Sequence, residues 1–93
     1  MKYYYNKESY MGKKSSNIMI DTNDDFDAIL VAHGLGNPMD FEDYLYDLFD
    51  EEIDSKNLTK SMKKKVIENL NDANGDGQPY LTIMDEKGKQ IFG

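Results

Sequence analysis

Asn37-Pro38-Met39-Asp40-Phe41-Glu42-Asp43-Tyr44-Leu45-Tyr46-Asp47-Leu48-Phe49-Asp50-Glu51-Glu52-Ile53 is the stretch that decides the fold. Asparagine followed by proline is a helix start: the side-chain oxygen can satisfy an open N–H, and the proline ring already holds the helical φ. Phe41, Leu45, Leu48, Phe49 and Ile53 fall at i, i+4, i+7, i+8 and i+12, one apolar stripe on a helical surface. The spacing predicts a helix from Pro38 to about Ile53, broken by Asp54-Ser55-Lys56-Asn57. Its stripe has to be buried against something, so its neighbours must supply other apolar faces.

Working outward, a shorter helix is predicted before it. Asp21, Thr22 or Asn23 can cap that helix, and Asp24 and Asp25 suit its positive first turn. Phe26, Ile29, Leu30 and His33 recur at helical spacing, and Gly34 and Gly36 end the run. After it, a third helix is expected from Leu58 or Thr59 to about Asn71, with Met62, Val66, Ile67 and Leu70 inward and Lys60, Lys63 and Lys64 outward. Asn74-Gly75-Asp76-Gly77 closes that helix.

The flanks read as strands. Lys2-Tyr3-Tyr4-Tyr5-Asn6 is aromatic, and Asn17-Ile18-Met19-Ile20-Asp21 alternates with period two; Gly12 to Ser16 is the loop between them. Pro79 to Met84 and Lys89 to Phe92 form a hairpin around Asp85-Glu86-Lys87-Gly88. The order ββαααββ predicts an α+β fold: about three helices packed on a small antiparallel sheet. Without a repeat or a low-complexity linker, residues 1–93 are expected to form a single domain.

Composition narrows the function classes. The 93 residues include no cysteine, which excludes disulfides, thiolate metal sites and cysteine nucleophiles. All 11 basic residues are lysine, and the net charge is −7. Arginine is the usual residue for bidentate phosphate recognition, so direct nucleic-acid binding is not expected, and an acidic surface repels anionic membranes. Met1 to Tyr10 lacks the apolar core of a signal peptide, and no segment approaches the ~20 apolar residues of a membrane span. A cytoplasmic location is expected.

The charge is segregated. Residues 21–54 hold 12 carboxylates and no lysine. Asp40, Asp43, Asp47, Asp50 and Asp54 follow one another at helical spacing, with Glu51 alongside, and neighbours along such a row lie about 5 Å apart. Like charges at i,i+4 destabilise a helix by a few tenths of a kcal/mol per pair, and a purely structural surface would intersperse lysines. Tyr44 and Tyr46 flank the row, and Tyr3, Tyr4, Tyr5 and Tyr10 crowd the N-terminus; tyrosine is enriched in protein interfaces.

The reading is therefore a non-enzymatic, acidic inhibitor that mimics nucleic acid and blocks the basic surface of a nucleic-acid-binding protein. Its expected contacts are Asp40, Asp43, Tyr44, Tyr46, Asp47, Asp50, Glu51 and Asp54, with Asp24, Asp25 and Asp27 nearby. In general character it resembles phage-encoded anti-CRISPR and anti-restriction proteins, families that share no common sequence. That resemblance implies a CRISPR or restriction effector as partner. A small accessory protein, possible as a homodimer through its tyrosines, is the bland alternative.

Two chemical motifs point elsewhere. Asp72-Ala73-Asn74-Gly75-Asp76-Gly77 resembles the first half of an EF-hand calcium loop, and Asp72, Asn74 and Asp76 would be the ligands. The eighth loop position is Pro79 and the twelfth, where a bidentate glutamate closes the shell, is Ile83. His33-Gly34-Leu35-Gly36 resembles the oxyanion loop of lipases, but the Gly-x-Ser-x-Gly elbow is missing. No catalytic residue and no cofactor is expected, and the lone histidine is read as sitting at a helix C-terminus, charged toward the dipole.

Overall fold

The computed structural model describes residues 1–9 and 11–93; Tyr10, grouped above with the N-terminal tyrosines, lies outside the described residues. The elements run β1 (Lys2–Glu8), β2 (Ile18–Asp21), α1 (Asp25–Ala32), α2 (Pro38–Phe49), α3 (Lys60–Ala73), β3 (Tyr80–Asp85) and β4 (Gln90–Phe92). This is the predicted order ββαααββ. The sheet is antiparallel in the order β2-β1-β3-β4, so each hairpin stays together and β1 joins the two.

Register assigns the faces. Tyr3 pairs with Ile20 and Asp85, and Tyr5 with Ile18 and Ile83, so odd-numbered β1 residues share one face with Ile20, Leu81 and Ile83. That face is the core side: Tyr3, Ile20, Leu81, Ile83 and Phe92 are buried with Ala28, Ile29 and Ala32 of α1. Ile67 and Leu70 of α3 pack against the same cluster. The other sheet face, with Tyr4, Asn6, Met19, Thr82 and Met84, contributes no buried residue.

A second cluster lies farther from the sheet. Leu30 of α1, Phe41 and Leu45 of α2 and Val66 of α3 are buried together, with Leu48, Phe49, Ile53 and Leu58 against them. Helix α1 thus has one side on the sheet and one on α2, while α2 is the outer layer. The first two helices end differently. Helix α1 stops in a Schellman arrangement, in which Gly34 at φ +74° donates to the Val31 carbonyl and Leu35 to that of Leu30. Leu35 and Leu30 then meet in the second cluster, the hydrophobic contact such a cap favours.

Helix α2 stops four residues earlier than its apolar stripe predicts, at Phe49. Asp50 turns left-handed at φ 57°, and no basic residue sits in the last turn. Asp50, Glu51 and Glu52 would place three carboxylates at the negative end of the dipole, so continuing the helix is costly there. Ile53 still reaches the core, but from the returning loop rather than from the helix. Helix α3 begins at Lys60, capped by the Thr59 hydroxyl accepting from Met62 N–H, and ends at Ala73. Among the described residues, no helix is long and apolar enough to cross a membrane.

Candidate interaction surface

The acids at the start of α1 are held by the fold. Asp24, not Asp21, Thr22 or Asn23, is the N-cap, and its Oδ1 accepts from Asp27 N–H at 2.9 Å. Sequence placed the cap too early because β2 continues through Asp21, which pairs with Lys2 across the sheet. Asp25 accepts a 2.8 Å hydrogen bond from the Tyr3 hydroxyl. Burial, and next the hydrogen bond to Asp25, push the Tyr3 hydroxyl up to about 12. Asp27 is half-buried and its pKa is raised, first by burial and then by the Asp24 charge. The Asp24 and Asp25 carboxylates thus each have a hydrogen-bond partner within the fold.

The acids of α2 are differently placed. Phe41 and Leu45 face the core, which turns Asp40, Asp43 and Asp47 outward on the opposite side; all three are exposed, as are Asp50 and Glu51. Among the described residues, the two ion pairs join the N-terminus to Asp21 and Lys14 to Glu8, and neither involves α2. Two lysines of α3 lie over aromatic rings instead: Lys63 Nζ is 5.3 Å from the Phe26 centroid and Lys65 Nζ 5.4 Å from that of Phe49. Lys63, expected to point outward, is half-buried for this reason.

The row is shorter than its spacing predicts. Asp50 is the left-handed cap, and Asp54 lies in the loop, where Oδ1 accepts from Lys56 N–H at 2.9 Å and Oδ2 from the Asn57 amide at 3.0 Å. Asp54 therefore holds a turn together. Glu42 reaches the same loop and accepts from Ser55 N–H at 3.0 Å. Folding the loop back makes an open concavity of about 500 Å³, lined by Glu42, Asp43, Tyr46, Glu52, Ile53 and Asp54. Glu42 and Glu52 were not among the expected contacts. The row's spacing singled out every third or fourth position, and the return of the loop over α2 is invisible in one-dimensional periodicity.

The two tyrosines also part. Tyr44 stacks on Phe41 and donates to Asn69 Oδ1, and burial raises its pKa. Tyr46 is 50% exposed and is the aromatic that an approaching surface would meet. Of the N-terminal group, Tyr3 is buried and Tyr4 and Tyr5 are half-buried in the sheet.

The calcium-like segment has a structural task. Asn74 follows α3 as its C-cap, and its side-chain amide brackets Leu81: Nδ2 donates to the Leu81 carbonyl at 2.9 Å, and Oδ1 accepts from Leu81 N–H at 2.8 Å. The amide oxygen an EF-hand would use is thus taken by β3. Asp72 is exposed in the last turn of α3 and Asp76 in the following turn. Among the described residues, no group of three or more potential ligands is arranged to hold a metal ion.

His33 is the C-cap of α1, at the helix C-terminus as expected, but its ring is not turned to the dipole as a charged group. Its ring is edge-on to Phe92 at 4.9 Å, and Nδ1 lies 2.7 Å from the Ile29 carbonyl, which makes that nitrogen the donor. Burial lowers its pKa below the ordinary value, overriding the opposing effect of the backbone hydrogen bond, and Lys7 lowers it further. The dipole argument failed because the ring packs inward against β4 instead of standing in solvent. Compared with known proteins, the chain matches no family model, no curated protein and no solved structure.

Proposed function

We propose that this chain is a non-enzymatic binding protein whose α2 face acts as a nucleic-acid mimic toward a basic, nucleic-acid-binding partner. The observation that carries the reading is the outward row Asp40, Asp43 and Asp47, continued by Asp50 and Glu51. These carboxylates are exposed, and none is in either ion pair of the described residues. Five lysines in residues 56–65 lie close by in sequence, so charge balance was within reach of the fold. Duplex DNA presents about one charge per 1.7 Å of axis, and a channel of lysine and arginine built for it attracts any comparable row of carboxylates. Tyr46 adds an exposed ring beside the row. Competition for the channel, speeded by long-range attraction, is the mechanism. The partner class is a CRISPR or restriction effector.

The test is displacement of a labelled 20-base-pair duplex from a panel of restriction and CRISPR effectors, at rising salt. The chain should displace duplex from at least one of them, less effectively as salt rises. The variant Asp43→Asn/Asp47→Asn/Asp50→Asn should lose at least about tenfold in potency. Asparagine tolerates the left-handed conformation of Asp50, so the variant keeps its helix cap. Displacement that ignores both salt and these substitutions overturns the proposal, as does failure across the panel.

A further inference from the structure

The two edges of the sheet are unlike. Strand β4 has three residues, follows a register shift at Ile83/Met84, and is preceded by Lys87 and Lys89. Short length, a bulge and lysine are the devices that keep an edge from pairing with another chain. Strand β2, Ile18-Met19-Ile20-Asp21, is also short, at four residues, but has neither a bulge nor a lysine in the strand. Its register with β1 is regular, it contains no lysine or proline, and Ile18 and Met19 are 48% and 56% exposed.

The hydrogen-bond parity of β2 is also fixed. Thr22 N–H donates to the Met1 carbonyl at 3.0 Å, so with the register Tyr3↔Ile20 and Tyr5↔Ile18, the even-numbered residues of β2 bond inward to β1. The N–H and C=O of Met19 and Asp21 then point away from the sheet. An antiparallel pair centred on Met19 bonds Met19 to Met19 and Asp21 to Asn17 of the other copy, two residues before the strand pair's centre. It also obeys the pleat: with a two-fold axis normal to the sheet, Ile18 of one chain stands beside Ile20 of the other on the core face.

Charge supports the same pairing. The segment leading into β2 carries Lys13 and Lys14, the latter also paired with Glu8, and the segment leaving it carries Asp24 and Asp25 and no base. Antiparallel self-pairing sets the basic end of each edge against the acidic end of the other, twice. Parallel pairing would set like against like. We propose that β2 is a self-association edge, on which a second copy of this chain adds its own β2 antiparallel, Met19 opposite Met19, to form one continuous eight-stranded sheet. Both helix layers then lie on the same side of that sheet. This inference rests on the edge alone and is independent of the α2 proposal.

Three β2 residues pair with β2 of the other copy, flanked on each side by Asp21 opposite Asn17; the interface is small, so association is weak and governed by concentration. Sedimentation velocity of the whole chain from ~10 μM to ~1 mM should show the mass rising from 10.7 kDa toward twice that value. Met19→Pro removes only an outward N–H, a position where an edge strand tolerates proline, and should abolish the rise while leaving the melting curve in place. Should that variant unfold, Met19→Cys answers separately. The chain has no other cysteine, and the ~5.5 Å Cα separation of a hydrogen-bonded pair lies within disulfide reach. Met19→Cys should oxidise to a covalent dimer, and Gln90→Cys on the other edge should not. A monomer throughout the concentration range, a dimer that Met19→Pro leaves intact, or cross-linking at position 90 in place of 19 overturns the proposal.

Discussion

Two groups of carboxylates, one at the start of α1 and one along α2, look alike in sequence and are treated oppositely by the fold. Asp24 and Asp25 each accept a hydrogen bond, one from the Asp27 backbone and one from the buried Tyr3. Asp40, Asp43 and Asp47 are exposed and share no ion pair among the described residues. Acidic residues at a positive helix end have a structural reason to be there. Asp40, in the first turn of α2, shares that reason. Asp43 and Asp47, in the middle of the outer helix, have only repulsion from one another, which makes them the better candidates for binding.

The sharpest way to test the contrast within α2 is to compare its two faces. Leu45 is fully buried, and Leu45→Ala should cost about 2–5 kcal/mol in urea unfolding. A loss well below that range means α2 is not anchored as described. On α1, Asp25→Ala strips the partner from a buried hydroxyl and should cost about 1–3 kcal/mol, whereas the double variant Tyr3→Phe/Asp25→Ala should recover part of it. Loss of the N-cap in Asp24→Ala should cost about 1 kcal/mol, measured the same way.

The other end of α1 responds to pH. His33 has a folded pKa below its unfolded value of 6.5, so the unfolded chain binds protons first. Its contribution to stability is complete above that value and falls away as the pH drops toward the folded pKa. The melting temperature should decline between pH 7.5 and 5.5, and His33→Gln should flatten that part of the profile. The smallest effect belongs to α2's outer face. Asp43→Asn and Asp47→Asn remove a repulsive i,i+4 pair and should leave stability unchanged or raise it by a few tenths of a kcal/mol. A loss of 1 kcal/mol or more would assign those acids a structural task and erase the contrast.

Much of this was readable in the chain because it is local. The Asn37-Pro38 start, the stripe of Phe41, Leu45, Leu48 and Phe49, and the Asp85 to Gly88 turn depend on neighbours a few residues apart. The turn is held as its composition predicts, Asp85 Oδ1 accepting from Lys87 and Lys89 N–H. The candidate surface was legible only in part. Asp40, Asp43 and Asp47 follow from helical period. Tyr44's bond to Asn69 crosses 25 residues, and Glu42's to Ser55 crosses 13.

The sequence by itself determined the elements, their order and the outward placement of the α2 acids, because periodicity, capping and turn chemistry act over one or two turns of chain. Tertiary structure decided the rest. It moved the α1 cap to Asp24, turned His33 onto Phe92, gave Asn74 to Leu81 and put β2 at an edge of the sheet. Each of these depends on a residue distant in sequence or on the pairing of strands. In every case burial and hydrogen-bond satisfaction across the fold outweighed the local preference.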